Sequence, residues 1–578
     1  MDRQAPVALS DEIDLYVRTY YSLLRSSGEV RVRAFEETHA YSTSSLHTGA
    51  LSPIPDTSAF AYAAARLPDS MPDTRLVVLG QSHELFEAAG YDVATWRIVR
   101  TRGRRRPLRY DEKGTLAVFI ASESDIDDLV PIVTAYQIEW NKMHERLRGF
   151  GPLADAATPL PTHAQVREAL GLDEDTFSKL VNGFGASRFD HGVRALITGP
   201  IDLKLQMLAP SYSQYQRAAQ RWWSAIEPAY LRAQQPRRGP VYFVSSNTHA
   251  IANLVGGYAR AHADAICDWA KKSDPEGLGG AVDAAEKSGD DAQLSALLYY
   301  LLRAYIHAAP ETRMREVREF EGGMGLVHLT EPGHVYVDAQ LIQLNKIKPE
   351  RLDPRLRVPG IERLAESDAF LLNIDYPLGM AAYHLLSRVG QGVGELRGVY
   401  VMGKAATLNG RVGDVAVSGV VFDEHSRNTY LLKNAFTAGD VRPYLTDGNV
   451  FDNQSALTVR SAFLQNKQYM STFYRDGYTV LEMEAGPFLS AIYELVNPAP
   501  CPENEIVHLS AQTQFDIGLL HYASDTPYSR RQSLLSKSLS YFGVDSTYAC
   551  AIAIVRRILE QEVARAASRA RGSIRPGP

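Results

Sequence analysis

The stretch Gly398–Ser418, GVYVMGKAATLNGRVGDVAVS, constrains the fold more than any other part of the chain. It reads as a buried apolar strand that stops at a turn of small residues, Gly403 to Ala406, makes a short polar excursion and re-enters a second apolar strand through Val412-Gly413-Asp414. A glycine and alanine turn at the carboxyl end of a buried strand lets a ligand approach the backbone closely, where bulky side chains would bar it.

Other short apolar runs, at 75–80, 95–101, 116–121, 241–244, 325–329 and 334–344, alternate with helical patterns, so the class expected is α/β. Apolar residues at three- and four-residue spacing predict a helix over 10–25, and a second over 126–148 that bends near Pro131. A chain of 578 residues is too long for one core and predicts two to four units. The divisions expected are a mixed α/β region over 1–150, a helical arm over 151–235, an α/β domain over 236–565 and a flexible basic tail over 566–578. The arm begins with a Pro- and Ala-rich linker at 151–162, includes RALITGPIDLKLQML read as helical, and ends at Gln235-Pro236-Arg237-Arg238-Gly239-Pro240.

Composition narrows the function classes. A net charge of -6 gives no reason to expect a polyanion partner over the whole surface, and nucleic acid ranks last among the candidate partners. Arg102-Gly103-Arg104-Arg105-Arg106-Pro107-Leu108-Arg109 is the exception, read either as a solvated loop or as a phosphate contact. No run approaches the ~18 apolar residues that span a bilayer, and no apolar leader precedes the first helix, so a cytoplasmic protein with no membrane partner is expected. Cys267, Cys501 and Cys550 lack metal-ligand spacing, and neither disulfides nor a metal is expected.

Two polar groups invite a functional reading. Gln137, Glu139, Asn141 and His144 on the second helix are more readily surface positions than site residues. Ser245-Ser246-Asn247-Thr248-His249, between a strand and a helix, reads equally as an anion site and as a helix cap.

Four features of the last third occur in a telling order. They are the strand-turn-helix AFLLNIDYPLGMAAYH with Gly379, and the Gly403-Lys404 turn with Val412-Gly413-Asp414-Val415 and then Asp423-Glu424-His425-Ser426. Next come Ala462-Phe463-Leu464 with Glu482-Met483-Glu484-Ala485, and finally Ser524-Asp525. This order resembles the purine nucleoside phosphorylase and nucleosidase superfamily. The resemblance covers about 370–560 and leaves the first 235 residues unexplained.

It implies a three-layer α/β domain with a mixed central sheet, and cleavage of an N-ribosyl bond. By resemblance Glu484 accepts ribose hydroxyl hydrogens beside Met483, Asp525 protonates the leaving base with Ser524 orienting it, and Phe463 stacks on the base. Gly403, Lys404, Gly379 and His425 complete the implied substrate-binding set. The partner implied is a small nucleoside or nucleotide, in a homo-oligomer. No cofactor is implied, although orthophosphate is an allowed co-substrate.

The departures favour hydrolysis over phosphorolysis. Lys404 stands where the superfamily offers a hydroxyl, Ala405 and Ala406 stand where it offers glycines, and Tyr376-Pro377-Leu378-Gly379 is no glycine-rich anion cradle. Lys404 suits a phosphate carried by the substrate. The alternative function is a nucleotide-sensing or scaffold protein that keeps the fold without turnover.

Overall fold

The structure is a computed structural model, and it describes residues 11–572 apart from 104–105, 107, 152–157, 209–211, 233–237, 498, 512, 527–531 and 534–541. The chain divides into two units. The first comprises Met1–Ala218, Leu378–Ala381 and Val459–Asp476, and the second Ala219–Pro377, Ala382–Thr458 and Gly477–Pro578.

In the first unit the described strands are β1 (Val30–Arg31), β2 (Leu76–Gly80), β3 (Arg97–Val99), β4 (Leu108–Tyr110), β5 (Thr115–Phe119) and β6 (Lys204–Met207). They form one sheet in the order β1-β6-β2-β5-β4-β3, with β2 parallel to both β5 and β6. Side-chain alternation splits β5 between two layers. Leu116 and Val118 join the core under the helices Asp11–Ser26 and Glu123–Leu147, while the Phe119 ring packs on Phe86 of the helix His83–Ala88, centroids 5.0 Å apart. The long helix starts at Ser122 in a capping box with Asp125.

Strand β6 lies inside the stretch expected to be helical. Gly199-Pro200 ends the helix Phe189–Thr198, and the four residues 204–207 alternate, Leu205 and Met207 inward and Lys204 and Gln206 half-buried. Four residues are too few to show a period in the sequence, and pairing with β2 on one side and β1 on the other decides their state.

The polar set on the long helix is bonded within the unit, Gln137 and Glu139 buried and Asn141 and His144 half-buried. Glu139 is fully buried and accepts from His47 Nε2 at 2.7 Å, Lys142 Nζ at 2.6 Å and the Asp56 amide at 2.5 Å. Gln137 bonds Glu36 and the Leu203 amide, Asn141 pairs with Ile201 in both directions, and His144 Nδ1 lies 2.6 Å from the Leu196 carbonyl. Three arginines of the basic cluster are likewise committed within the unit. Arg102 donates to the Asn182 and Gly183 carbonyls, Arg106 pairs with the buried Asp125, and Arg109 donates to the Val93 and Ala94 carbonyls. Arg104 and Arg105 lie outside the described residues.

The second unit carries β7 (Pro240–Ser245), β8 (Leu326–Leu329), β9 (Ala339–Gln343), β10 (Phe370–Ile374), β11 (Glu395–Thr407), β12 (Val415–Asp423), β13 (Thr429–Leu431), β14 (Val450–Thr458), β15 (Tyr478–Glu482), β16 (Ile506–His508), β17 (Asp516–Thr526) and β18 (Gln532–Ser533). Among the described residues these form one mixed sheet, in the order β16-β13-β12-β14-β15-β11-β7-β10-β9-β8, with β17 bridging β11, β12 and β18. On one face Tyr242, Val244, Tyr400 and Met402 share a core with the helix Phe542–Gly572. On the other the Phe243 ring meets Phe488 of the helix Ala485–Val496, centroids 5.7 Å apart. The unit is therefore a three-layer α/β domain with a mixed central sheet.

Two expectations change here. Gly403 to Ala406 is not a turn: β11 runs on to Thr407, and the polar excursion is 408–414. Asp414 organises that excursion, accepting from the Arg411 amide at 2.7 Å and the Asn449 amide at 2.8 Å, while Gly413 beside it needs φ of +97°. After β7, Asn247 Oδ1 accepts from the His249 and Ala250 amides, as the cap reading has it, ahead of a helix of only seven residues. The last helix continues to Gly572, past residue 566, where a flexible tail is expected; Ala566 is 3% exposed.

Candidate functional site

Strand β11 outruns its parallel neighbour. It pairs with β7 as far as Val401↔Ser245, and beyond that it pairs antiparallel with β15 through Ala406↔Leu481. Between these pairings lies Gly403, in register with His521 on β17. The change of neighbour brings the end of β15 to the open level of the sheet, the kind of place where α/β proteins seat ligands.

A Cβ on Gly403 would lie 3.7 Å from Glu484 Oε2 and 3.7 Å from Tyr376 Cε1. Glycine therefore keeps a space between a carboxylate and an aromatic ring. Tyr376 follows the end of β10 by two residues, and its hydroxyl lies 3.0 Å from that of the buried Tyr522. Glu484 is half-buried and stands at the head of the 485–496 helix, and Met483 beside it is also half-buried.

Two further groups fix that helix start. Glu482 Oε2 accepts from the Glu484 and Ala485 amides, each at 2.7 Å. The Thr458 hydroxyl, at the end of β14, donates to Glu482 Oε1 and accepts from the Gly486 amide at 2.9 Å. Burial pushes the Glu482 carboxyl up to about 7 against these stabilising bonds. His521 Nε2 lies 3.9 Å from Glu482 Oε2, and burial pulls this imidazole down to about 4.

A second carboxylate nearby behaves oppositely. Asp423 is fully buried at the end of β12, which disfavours its charge, yet His425 Nδ1 at 2.9 Å, the Ser426 hydroxyl at 2.6 Å and backbone amides hold it below its ordinary range. A Cβ on Gly486 would strike Asp423 at 2.5 Å, so this carboxylate packs directly on the helix that Glu482 caps. The His425 side chain is 10% exposed.

On β17, Ser524 Oγ lies 3.0 Å from Asp525 Oδ2 and 3.3 Å from the Ala405 carbonyl, and Asp525 stands in register with Ala406. Ser524 is buried and Asp525 half-buried. Lys404 is exposed on β11.

The second unit thus holds Gly403, Lys404, His425, Met483, Glu484, Ser524 and Asp525 of the expected set, all near strand ends. Phe463 and Gly379 belong to the first unit. Phe463 is 1% exposed in that unit's core, its centroid 5.2 Å from Tyr62 and 6.0 Å from His39. Gly379, φ +55°, follows Leu378, φ +66°, and the next amide, of Met380, donates to Ser124 Oγ at 2.9 Å.

Sequence reasoning passed over Thr458 and gave no role to Tyr376, Asp423 and Glu482, although all three lie in motifs it singles out. Glu482 had a visible signal, an acid closing an apolar strand run, Val480-Leu481, which burial makes costly unless it is bonded.

The whole of this framework falls within a match to a family of unknown function, DUF6909, over residues 32–560. The chain belongs to that family. No curated protein matches the DUF6909 chain. Similar solved structures include a 5′-methylthioadenosine/S-adenosylhomocysteine nucleosidase from Colwellia psychrerythraea in complex with adenine, 11% identical over 40% of this chain and 86% of that one, with a TM-score of 0.27. Another is the Arabidopsis thaliana 5′-methylthioadenosine nucleosidase, 8% identical over 56% and 96%, TM-score 0.30. A third is Schistosoma mansoni uridine phosphorylase with 5-fluorouracil, 12% identical over 33% and 71%, TM-score 0.25. Among the described residues no helix is long and apolar enough to cross a membrane.

Proposed function

We propose that this DUF6909 protein cleaves the N-ribosyl bond of a nucleoside or nucleotide, by hydrolysis in preference to phosphorolysis. The observation that carries the reading is the presence of two half-buried carboxyl groups near strand ends of one unit. Glu484 faces the space beside Gly403, and Asp525 sits on Ser524 at the end of the strand next to β11.

In this reading Glu484 accepts hydrogens from the ribose hydroxyls and stabilises the positive charge that develops on the sugar. The C1′–N bond breaks with its electron pair going to the base. Asp525 gives that base a proton as general acid, and water bonds to C1′ and loses its proton to solvent, from which Asp525 is reprotonated. Hydrolysis is favoured because the 485–496 helix start is closed to an outside anion: Glu482 and Thr458 already accept from the amides of 484, 485 and 486.

The test is incubation with a panel of nucleosides and nucleotides, with and without orthophosphate, following free base by chromatography. Base release without phosphate, lowered about 10²- to 10⁴-fold by Asp525→Asn, is the expected result. Binding without release from any member of the panel overturns it in favour of a sensing role.

A further inference from the structure

Building on that reading, we propose that Glu482 is a positioning residue, whose carboxyl group holds the Glu484–Gly486 turn and so aims the Glu484 carboxylate, without itself touching substrate.

Glu482 is 4% exposed. Both of its oxygens are committed inward, Oε2 to two consecutive backbone amides and Oε1 to the Thr458 hydroxyl. Thr458 then holds the third amide, of Gly486, so two side chains take up three successive N–H groups. Without them the helix start would leave those donors buried and unpaired, and Glu484 would hang on an unfixed backbone. Behind the bracket Asp423 packs on Gly486, where any side chain would strike it, so the turn is clamped from β12, β14 and β15 together.

The chemistry of the bracket does not depend on charge. A carboxylate accepts from Thr458, and a carboxylic acid at Oε1 donates to the same Thr458 oxygen, which can accept a second hydrogen bond; in both states Oε2 keeps the two amides. A Gln side chain offers the same pattern, with its carbonyl toward the amides and its NH₂ toward Thr458. A residue acting on substrate as an acid or a carboxylate would have no such substitute.

The test compares Glu482→Gln, Glu482→Ala, Thr458→Ser and Thr458→Val for base release by the full chain, with melting temperature measured alongside. Glu482→Gln and Thr458→Ser should keep kcat within about threefold of wild type, while Glu482→Ala and Thr458→Val lose about 100-fold in kcat, the scale of a misplaced catalytic group. If Glu482→Gln falls as far as Glu482→Ala while still folded, Glu482 acts on substrate and the positioning role is wrong. If Glu482→Ala folds and keeps full kcat, the bracket does not aim Glu484. Should either Ala or Val variant fail to fold, the Gln and Ser variants still decide, since their activity must survive. Loss of release in Asp525→Asn with retention in Glu482→Ala would leave the N-ribosyl reading standing and remove this one; no release from wild type would remove both.

Discussion

Glu484 Oε2 and Tyr376 Cε1 stand at equal distance, 3.7 Å each, from the point where a side chain on residue 403 would begin. A methyl group there meets both at ordinary van der Waals separation, whereas a longer side chain fills the space between them. Gly403→Ala should therefore fold with a melting temperature within a few degrees of wild type, and Gly403→Leu should abolish nucleoside binding. Calorimetric titration with the best nucleoside of the panel checks it, and undiminished binding by Gly403→Leu would place the ligand elsewhere.

Glu482 makes stability depend on pH in a definite direction. Its carboxyl is raised from 4.5 to about 7, so between those values the folded chain holds a proton that the unfolded chain has lost. The contribution is fully present below about 4.5 and is lost as pH rises through about 7, at roughly 1.4 kcal/mol for each pH unit crossed between the two values. His521, lowered to about 4, works the other way, adding stability as pH rises toward 6.5. Denaturant titrations from pH 4.5 to 8 on wild type and Glu482→Gln isolate the Glu482 part. Wild type should gain steadily on the variant as pH falls from about 7 to 4.5, and a difference that stays flat over that range would refute the raised carboxyl.

In the first unit Asp127 is fully buried, pairs with Arg460 Nε at 3.0 Å and accepts from Tyr20 at 2.5 Å. Asp127 is also the leading cause holding the Arg460 guanidinium above its ordinary range. Removing one partner of a buried pair costs about 3–5 kcal/mol, because the survivor keeps its desolvation penalty. Asp127→Ala should destabilise the first unit by that amount, and Asp127→Leu combined with Arg460→Met by much less. A double-mutant cycle by chemical denaturation measures the coupling; additive losses would show the pair to be idle.

Lys404 is exposed on β11, at the strand that carries Gly403. If the substrate brings its own phosphate, Lys404→Ala should raise KM for a 5′-nucleotide about tenfold or more, the worth of one charge-assisted contact, and leave the matching nucleoside unchanged. Steady-state kinetics on both substrates decide it, equal losses counting against a phosphate contact.

How far the sequence disclosed this molecule depended on where each constraint lay. The buried strands of the second unit were readable because burial on both faces of a strand demands a near-continuous apolar run, as in Val241–Val244 and Phe370–Leu372. Strand β6 was not, since its four residues become a strand only by lying between β1 and β2. Nor was the burial of Glu139, whose partners His47 and Asp56 lie more than eighty residues away and leave no trace in helical spacing. For the site, motif order pointed to Glu484 and Asp525, but Tyr376 and Thr458 owe their places to the change of partner along β11 and to the register Thr458↔Glu482, which only the folded sheet displays.

The first unit is encoded in three separated pieces, the last ending at Asp476. Its core includes Phe463 and Leu464, and its Asp127 pairs with Arg460. On the ribosome, therefore, the residues up to Ala218 emerge long before the ring and the cation that complete their interior have been made. Order of synthesis and order of folding part company here: the amino-terminal unit of this chain can be finished only after most of the second has been translated.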